Sequence, residues 1–444
     1  MADMTLQEKS EFLEASLPGD GLFADKDWRK AAEPFPLPAR FVRELAGLGR
    51  ILLKFYQSIS DLHRFSHSGK EARWVGELLD AGKPAPLLGC QSSKPFLHAV
   101  PRVIRPDILL TENGWAITEL DSVPGGIGLT AWLNQVYSRM GHSVIGGESD
   151  MINGFFSIFS PDNPVHLVVS EEAATYRPEM EWLAQQASSA GFPSPVSVRD
   201  QNFTDFGDGD SVYRFFELFD LANVPSSERI IELALDGRVS LTPPPRPIME
   251  EKLNLALLWN RNLEDFWIRN LGRSFFEKLM KVVPRSWVVD PAPLPPHAAI
   301  PGLEITDWHQ LKSFSQKKRN LILKVSGFSE SAWGARGVHL GSDMPADEWG
   351  QAIDSAVRSF DSHPHILQTF EKPTVVRTSW IAPETFQEVP MKSRVRLCPY
   401  YFVSGEGNRA TAELSGILAT LCPEDKKIIH GMSDAVLAPC SVES

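Results

Sequence analysis

The sequence predicts a mixed protein of the α+β or α/β class that is divided into several lobes. Three observations support this class: a long run with helical periodicity, an early pair of strands around a tight turn, and a middle region where short strands alternate with helices. The 444 residues are enough for two or three domains or lobes. We divide the chain into regions 1–98, 99–164, 165–245 and 246–444.

Region 1–98 is predicted to be helical. Seven apolar residues recur at alternating spacings of four and three, as in one long amphipathic helix. These residues are Phe41, Leu45, Leu48, Leu52, Phe55, Ile59 and Leu62. A polar segment with prolines precedes this helix at 33–38, and a second helix is predicted around 71–79.

Region 99–164 begins with the most informative segment of the chain. Residues 105–121 read Arg-Pro-Asp-Ile-Leu-Leu-Thr-Glu-Asn-Gly-Trp-Ala-Ile-Thr-Glu-Leu-Asp. Two apolar runs flank Asn113-Gly114, which is a strong signal for a β-hairpin. A helix is predicted after the glycine-containing turn at 123–128. That turn lacks the full glycine pattern of a dinucleotide-binding loop and is expected to lie beside a substrate pocket.

The length of the hairpin turn decides whether its charged residues share a face. A two-residue loop at Asn113-Gly114 places Asp107 and Glu119 on opposite faces. A three-residue loop that starts one residue earlier places Asp107 across from Glu119 and Arg105 across from Asp121, so that all four share one face. Opposed like charges favour a bound cation, and oxygen ligands suit Mg²⁺ that carries nucleotide phosphates. A solvated polar face on an ordinary hairpin is the alternative.

Composition excludes several classes of function. The net charge of −12, from 44 basic and 56 acidic residues, argues against a general binder of nucleic acid or anionic membranes. No uninterrupted apolar run approaches the length of a membrane span. The cysteines are widely spaced, without a Cys-x-x-Cys pair, and predict neither a disulfide framework nor a zinc site. The first residues lack the features of a signal peptide, so we expect a cytoplasmic protein.

Region 165–245 is predicted to be a small α/β subdomain, because short apolar strands alternate with helical segments. The strands are expected at 165–169, 196–198, 212–218 and 239–241. A stiff proline-rich linker at 243–247 ends the subdomain. Region 246–444 then begins with a predicted helical segment, 250–281.

A second cluster of candidate residues surrounds a predicted strand–loop–strand segment at 321–340. Lys324 lies at the end of a buried strand, and the loop that follows is rich in glycine. Such a loop can close over a triphosphate, with its backbone N–H groups and cations meeting the anionic oxygens. The candidate residues are Lys324, Ser326, Gly327, Gly334, Arg336 and Gly337. An exposed hairpin with one incidental lysine is the alternative.

Two later strands complete the candidate set. The strand around 366–368 can offer backbone groups near Gln368 to an adenine edge, with Phe370 against the ring. On a strand at 391–403, Arg394 and Arg396 share one face with a nearby lysine. This cationic row suits an acyl phosphate or a γ-phosphate, and a solvent-facing edge strand is the alternative.

Together, these elements resemble the ATP-grasp superfamily, in which the acidic elements usually come last. Here they come first, which resembles the circularly permuted ATP-grasp enzymes of the glutathionylspermidine synthetase type. Arg105-x-Asp107, eleven residues, then Glu119-x-Asp121 is similar to the Arg-x-Asp and Glu-x-Asn metal motif of that type. Asp121 stands where asparagine is typical. The resemblance spans roughly residues 100–440 and implies a permuted ATP-grasp fold that holds a nucleotide between two lobes.

The resemblance also implies roles for individual residues. Lys324 and, more loosely, Lys252 match nucleotide-binding lysines, and Gln368 matches the adenine strand. Either Arg394 or Arg396 matches a late phosphate-binding arginine. In this family pattern Mg²⁺ would be bound by Asp107, Glu119 and Asp121. The phosphate charge would be offset by Lys252, Lys324 and Arg336. Arg105 would stabilise the transferred phosphoryl group.

The implied activity is ATP- and Mg²⁺-dependent ligation of a carboxylate to an amine or thiol through an acyl phosphate, with small-molecule or peptide substrates. Two alternatives remain open. One is a protein that retains the fold and binds nucleotide without catalysis. The other is a phosphotransferase that phosphorylates a small acceptor and forms no amide.

Overall fold

The computed structural model describes residues 4–19, 21–22, 28–332, 337–429 and 434–443. Within these residues, helices and several sheets form a mixed α+β architecture, which confirms the predicted class at that level. No helix in the described ranges is both long and apolar enough to cross a membrane.

The strands are numbered in chain order. They are β1 (Arg29–Lys30), β2 (Phe35–Leu37), β3 (Val103–Thr111), β4 (Gly114–Asp121), β5 (Val165–Val169), β6 (Val196–Asp200), β7 (Ser211–Phe215), β8 (Ser240–Thr242), β9 (Ser286–Val288), β10 (Leu321–Val325), β11 (Val338–Leu340), β12 (His365–Thr369), β13 (Val375–Ile381), β14 (Glu388–Ser404), β15 (Thr411–Pro423) and β16 (Val436–Val442).

The helices are numbered in the same way. They are α1 (Leu6–Ser16), α2 (Ala39–His67), α3 (Arg73–Asp80), α4 (Ala85–Gln91), α5 (Ile127–Arg139), α6 (Asp150–Phe156), α7 (Arg177–Gln186), α8 (Ser227–Leu235), α9 (Leu253–Leu258), α10 (Glu264–Leu271), α11 (Arg273–Val282) and α12 (Ala346–Arg358).

The central sheet joins both ends of the described chain. Its strand order is β1-β16-β15-β14-β3-β4, with β13 beside the first half of β14 and β2 beside β16. β1 and β2 pair with β16 in parallel. Within the described residues, region 1–98 contains α1 to α4 and these two short strands. Their pairing partner lies about 400 residues away, so no local pattern reveals them.

The two faces of the central sheet bury different helices. On β14, Val395, Leu397 and Tyr401 pack with α2, whereas Cys398 and Tyr400 pack with α5 and α6. This alternation follows from the two-residue period of a strand. Each fully buried leucine of α2 contributes roughly 2 kcal/mol of transfer free energy, which explains why the predicted amphipathic helix forms as predicted.

Two smaller sheets complete the fold. The predicted α/β subdomain contains a parallel sheet with the order β6-β5-β7-β8. An antiparallel sheet with the order β11-β10-β12-β9 carries the predicted lysine strand as β10. The segment 250–281, predicted as helical, is divided into α9, α10 and α11. One of the breaks lies at Gly272, whose φ of 81° is not helical.

Candidate functional site

The turn of the β3–β4 hairpin differs from both turns predicted from the sequence. Thr111 pairs with Gly114, so the loop consists of residues 112–113. Gly114, with a φ of 132°, is the first residue of β4. If this register continued along the hairpin, Glu119 would point into the core.

A β-bulge at Thr118 changes that orientation. The strands pair regularly near the turn, but the pairing then skips Thr118. Beyond the bulge, Asp107 pairs with Glu119 and Arg105 pairs with Asp121. Directly opposed residues share a face, so all four charged side chains lie on one face. This is the arrangement predicted for the three-residue turn, produced here by a bulge instead.

Arg105 and Arg396 hold the buried Asp107. Nη1 of Arg396 lies 2.9 Å from Oδ2 of Asp107, and Nη2 of Arg105 lies 3.3 Å from Oδ1. Burial opposes ionisation, but the two arginines outweigh it and lower the pKa of Asp107. The Asp107 carboxylate is therefore held charged between two guanidinium groups.

Asp121 has a different environment. Nη2 of Arg105 lies 2.8 Å from Oδ2 of Asp121, and the Val123 N–H donates to Oδ1 at 2.9 Å. Burial nevertheless raises the pKa of Asp121, because the lowering by Arg105 is smaller and the charges of Glu119 and Asp107 add to the rise. A cation next to this carboxylate would restore its charged form.

Lys324 connects the antiparallel sheet to the hairpin. Its Nζ donates to the carbonyl oxygen of Thr118 at 2.9 Å and to Oε1 of Gln368 at 3.0 Å. Nε2 of Gln368 donates to Oγ of Ser286 at 3.0 Å. The Gln368 side chain thus orients Lys324 through its carbonyl oxygen. Burial lowers the pKa of Lys324 to about 8, although Glu119 opposes the shift.

Lys252 bridges the hairpin and the glycine loop. Its Nζ lies 2.8 Å from Oε1 of Glu119 and donates to the Ala332 carbonyl at 3.1 Å. Burial would lower the pKa of Lys252, but Glu119 outweighs it and raises the pKa. Lys252 therefore faces the acidic hairpin.

The start of the glycine loop is held by Glu251. The Ser326 hydroxyl and the Gly327 N–H, the latter at 3.0 Å, donate to Oε2 of Glu251. Oε1 of Glu251 forms a buried ion pair with Lys83 at 2.6 Å. A Cβ atom at Gly327 would lie 1.9 Å from the carbonyl oxygen of Glu250, so this close approach requires glycine.

The candidate residues surround one cavity of about 710 Å³. The predicted residues that line it are Arg105, Asp107, Glu119, Asp121, Lys252, Lys324, Gly327, Gln368, Phe370 and Arg396. Acidic side chains outnumber basic ones in the whole lining, which also includes Glu172, Glu217, Asp220, Glu250, Glu371 and Lys427. The four predicted basic side chains lie among these carboxylates, an arrangement suited to a nucleotide together with its metal ions.

Three predicted residues in the described part of the chain, Arg394, Ser326 and Gly337, do not line this cavity. Arg394 donates to the backbone carbonyls of Glu424 and Pro373 and does not line it, so Arg396 is the arginine of the pair that does. Ser326 bonds to Glu251 behind the loop, and Gly337 lies against Val325. The remaining two residues, Gly334 and Arg336, lie outside the described residues.

The three carboxylates do not converge on one point. Among the described residues, only His63, His67 and Asp80 place three potential metal-ligand atoms within 4.8 Å of one another. Asp107 and Asp121 are turned towards arginines and Glu119 towards Lys252. Mg²⁺ commonly takes only one or two protein carboxylates together with substrate phosphates, and the oxygen donors of Glu119 and Asp121 fit that requirement.

The predicted turn at 123–128 lies beside the cavity, which Gly125 and Gly126 line. The Gly126 N–H donates to Oε1 of Glu179 at 2.9 Å, and Glu179 also accepts from N–H groups of the first turn of α5. Burial raises the pKa of Glu179 to about 7, although these N–H groups oppose the rise. A carboxyl group already occupies the anion-binding end of this helix.

Several residues of the cavity were not predicted from the sequence. Cys398 and Tyr400 continue the face of Arg396 at spacings of two, a signal that was present in the strand pattern. Glu217 and Glu250 also line the cavity, and no motif marks them. Burial raises the pKa of Glu217, and the neighbouring Glu250 adds to the rise.

No protein-family model and no curated protein matches the chain. Among solved structures, the fold is similar to that of a glutathione synthetase-like effector (GSS30) from Globodera pallida, with a TM-score of 0.59 and 11% sequence identity over 99% of this chain and 97% of that chain. A putative gamma-glutamylcysteine synthetase from Methylobacillus flagellatus has a TM-score of 0.38 and 12% identity over 86% of this chain and 84% of that chain. The first similarity concerns the fold alone.

Proposed function

We propose that this chain is an ATP- and Mg²⁺-dependent ligase that joins a carboxylate to an amine through an acyl phosphate. The observation that carries the proposal is the meeting of two distant elements at one cavity. The acidic hairpin of the central sheet and Lys324 of the antiparallel sheet are joined there by a hydrogen bond. The order of these elements, with the acidic hairpin first, supports a circularly permuted ATP-grasp fold.

The basic side chains would bind and orient the phosphates. Lys252 and Lys324 would offset the charge of the triphosphate, and Arg105 and Arg396 would face the transferred phosphoryl group. A carboxylate oxygen of the substrate would attack the γ-phosphorus and ADP would leave. The amine would then attack the acyl carbon and release phosphate. The protein contributes positioning and electrostatic stabilisation, without a covalent bond to a side chain.

Glu119 and Asp121 would hold Mg²⁺, which would offset charge between the β- and γ-phosphates. Asp107 would instead keep Arg105 and Arg396 in position through the ion pairs described above. This assignment gives the three carboxylates of the predicted metal set two different roles. Phe370 and Glu371, which line the cavity directly after β12, would lie beside the base.

Release of ADP from ATP, with pools of carboxylates and amines, tests the proposal. Hydroxylamine distinguishes the reaction type, since it traps an acyl phosphate as a hydroxamate but does not react with a phosphate ester. We expect hydroxamate with the wild type and a strong decrease with Glu119→Ala. Glu112→Ala, at the exposed turn of the same hairpin, is the matched control. Undiminished turnover in Glu119→Ala would remove Glu119 from the metal site.

One observation favours a non-catalytic nucleotide-binding protein as a second candidate. Each predicted metal carboxylate is already paired with a basic side chain, and Asp121 adds a charge where asparagine is typical. Such a protein would be stabilised by ATP and Mg²⁺ in a thermal melt but would form no ADP with any substrate pool. A phosphotransferase would form ADP and a stable phosphate ester without hydroxamate.

A further inference from the structure

A cluster of two histidines, one aspartate and one glutamine lies where α2, α3 and α4 meet. His63 and His67 are one helical turn apart on α2, Asp80 is the last residue of α3, and Gln91 is the last residue of α4. Oδ1 of Asp80 lies 2.8 Å from Nε2 of His63, and Oδ2 lies 2.8 Å from Nε2 of His67. None of these residues lines the cavity described above.

Hydrogen bonds alone do not satisfy the buried part of this cluster. Nε2 of Gln91 lies 3.2 Å from both Nε2 of His63 and Oδ1 of Asp80. If His63 donates its proton to Asp80, the Gln91 amide meets another donor. If His63 is unprotonated at Nε2, its lone pair faces a carboxylate oxygen. In addition, the Oε1 atom of Gln91, which is 1% exposed, has no hydrogen-bond partner among the described residues.

A cation resolves these conflicts. Rotation of the Gln91 amide by half a turn, which exchanges its oxygen and nitrogen atoms, directs Oε1 to the position between His63 and Asp80. Two imidazole nitrogens, a carboxylate oxygen and an amide oxygen would then face one point. Nitrogen and oxygen ligands in a four-coordinate arrangement are typical of Zn²⁺, and the spacing of four residues on a helix is suited to two histidine ligands.

The surrounding fold accommodates such a site. A Cβ atom at Gly76 of α3 would lie 2.9 Å from Nε2 of His67, so the glycine leaves room for this ring. The histidines lie in the last turns of α2, where the helix dipole favours a positive charge. Asp80 lies 2.8 Å from each histidine, closer than ligands stand in a tetrahedral site with bond lengths of about 2.0–2.2 Å, so these side chains move apart when Zn²⁺ enters.

We propose that His63, His67, Asp80 and Gln91 form a structural Zn²⁺ site that fastens the end of α2 to α3 and α4. The site contains no cysteine, which is why the cysteine spacing does not predict it. The site lies close to Lys83, which forms the buried ion pair with Glu251, and Glu251 in turn holds Gly327. Bound Zn²⁺ would therefore also steady the start of the glycine loop. The proposal does not depend on the proposed ligase activity.

The test uses the full chain, freed of metal by a chelator and titrated with Zn²⁺ in excess Mg²⁺. We expect the wild type to bind one equivalent of Zn²⁺ tightly and to melt at a higher temperature with it. Loss of an outer-shell partner already weakens metal binding about 10–100-fold, so His67→Ala should weaken this equivalent at least as much. Co²⁺ should give the intense visible absorption of a tetrahedral site in the wild type only.

His309→Ala is the matched control. Nδ1 of His309 lies 2.9 Å from Asp354, in an ion pair similar to that of His67, but among the described residues His309 belongs to no group of three potential metal ligands. The side chain of His67 is 49% exposed, so its removal should leave the fold intact, which circular dichroism checks. Zn²⁺ bound at the carboxylates of the cavity would survive His67→Ala. Three outcomes would overturn the proposal. They are a wild type that binds no Zn²⁺ tightly, a His67→Ala variant that binds Zn²⁺ as tightly as the wild type, and equal losses of Zn²⁺ affinity in His67→Ala and His309→Ala.

Discussion

The side-chain nitrogen of Lys324 donates a hydrogen bond of 2.9 Å to the carbonyl oxygen of Thr118, 206 positions earlier in the chain. The carbonyl belongs to the bulge that turns Glu119 and Asp121 towards the cavity. A single contact therefore ties the lysine of one sheet to the feature that orients the carboxylates of another. A change at Lys324 should affect both the charge of the cavity and the position of the hairpin.

The first prediction concerns nucleotide affinity and pH. Because the pKa of Lys324 is lowered to about 8, its charge is present below this pH and lost above it. The affinity for ATP with Mg²⁺ should be constant below pH 8 and fall above it. Lys324→Arg stays charged and should remove the fall, whereas Lys324→Met should bind weakly at every pH. Calorimetric titration from pH 6.5 to 9.5 measures this, and an unchanged pH profile in Lys324→Arg would contradict it.

The second prediction separates metal ligation from charge balance at Glu119. Glu119→Gln removes a negative charge near Lys252, so ATP without metal should bind as well as before or more tightly. If Glu119 is a metal ligand, the additional affinity that Mg²⁺ gives should fall in the variant. Parallel titrations with and without Mg²⁺ measure both effects, with Glu112→Gln as the control. An equal Mg²⁺ effect in both variants would argue against ligation.

The third prediction concerns the stability of the site. Asp107→Asn leaves the buried guanidinium groups of Arg105 and Arg396 without their shared counter-charge. Breaking a buried ion pair by removing one partner costs about 3–5 kcal/mol, so the free energy of unfolding should fall by roughly 3 kcal/mol. Chemical denaturation measures the difference. Asp208→Asn, which breaks an exposed pair with Arg238, should change little by comparison, and similar losses in both variants would contradict the prediction.

The fourth prediction concerns the pH dependence of stability through Glu179. Its pKa is about 7 in the folded chain, against an ordinary value of 4.5. Between these values the folded state binds more protons than the unfolded state, so the stability from this group is present below about pH 4.5 and lost as pH rises to about 7. Glu179→Gln should lack this loss and gain about 3 kcal/mol relative to wild type at pH 8.

Chemical denaturation of the wild type and Glu179→Gln at pH 4.5 and pH 8 tests the predicted direction of this stability change. The two stabilities should be closer at the lower pH, where the Glu179 carboxyl is neutral in the folded state and only about half ionised in the unfolded state. A difference between wild type and variant that does not change with pH would show that Glu179 does not hold its proton in the folded protein.

Local patterns predicted the elements whose formation depends on local chemistry. The apolar spacing from Phe41 to Leu62 predicted α2, and the alternation in region 165–245 predicted all four strands of the parallel sheet. The pairing of Asp107 with Glu119 was one of two predicted outcomes. The prediction of the turn was wrong, because Gly114 belongs to β4 and a bulge at Thr118 compensates for the changed register.

Features that depend on distant partners were not predictable. The strands β13, β15 and β16 were missed, since their pairing with β14 and with one another is set by the whole sheet. The role of Gln368 as a support for Lys324 requires the position of Ser286, which no sequence pattern relates to it. The sequence could not decide between Arg394 and Arg396, because that decision depends on which arginine forms the ion pair with Asp107.

The pairing of β16 with β1 and β2 has a consequence for how the molecule is made on the ribosome. Residues 29–37 are synthesised early but must wait for 436–442 before they gain their neighbours. During most of translation, two edge segments and part of the α2 surface remain uncovered, a period in which a nascent chain is most open to chaperones and to misassembly.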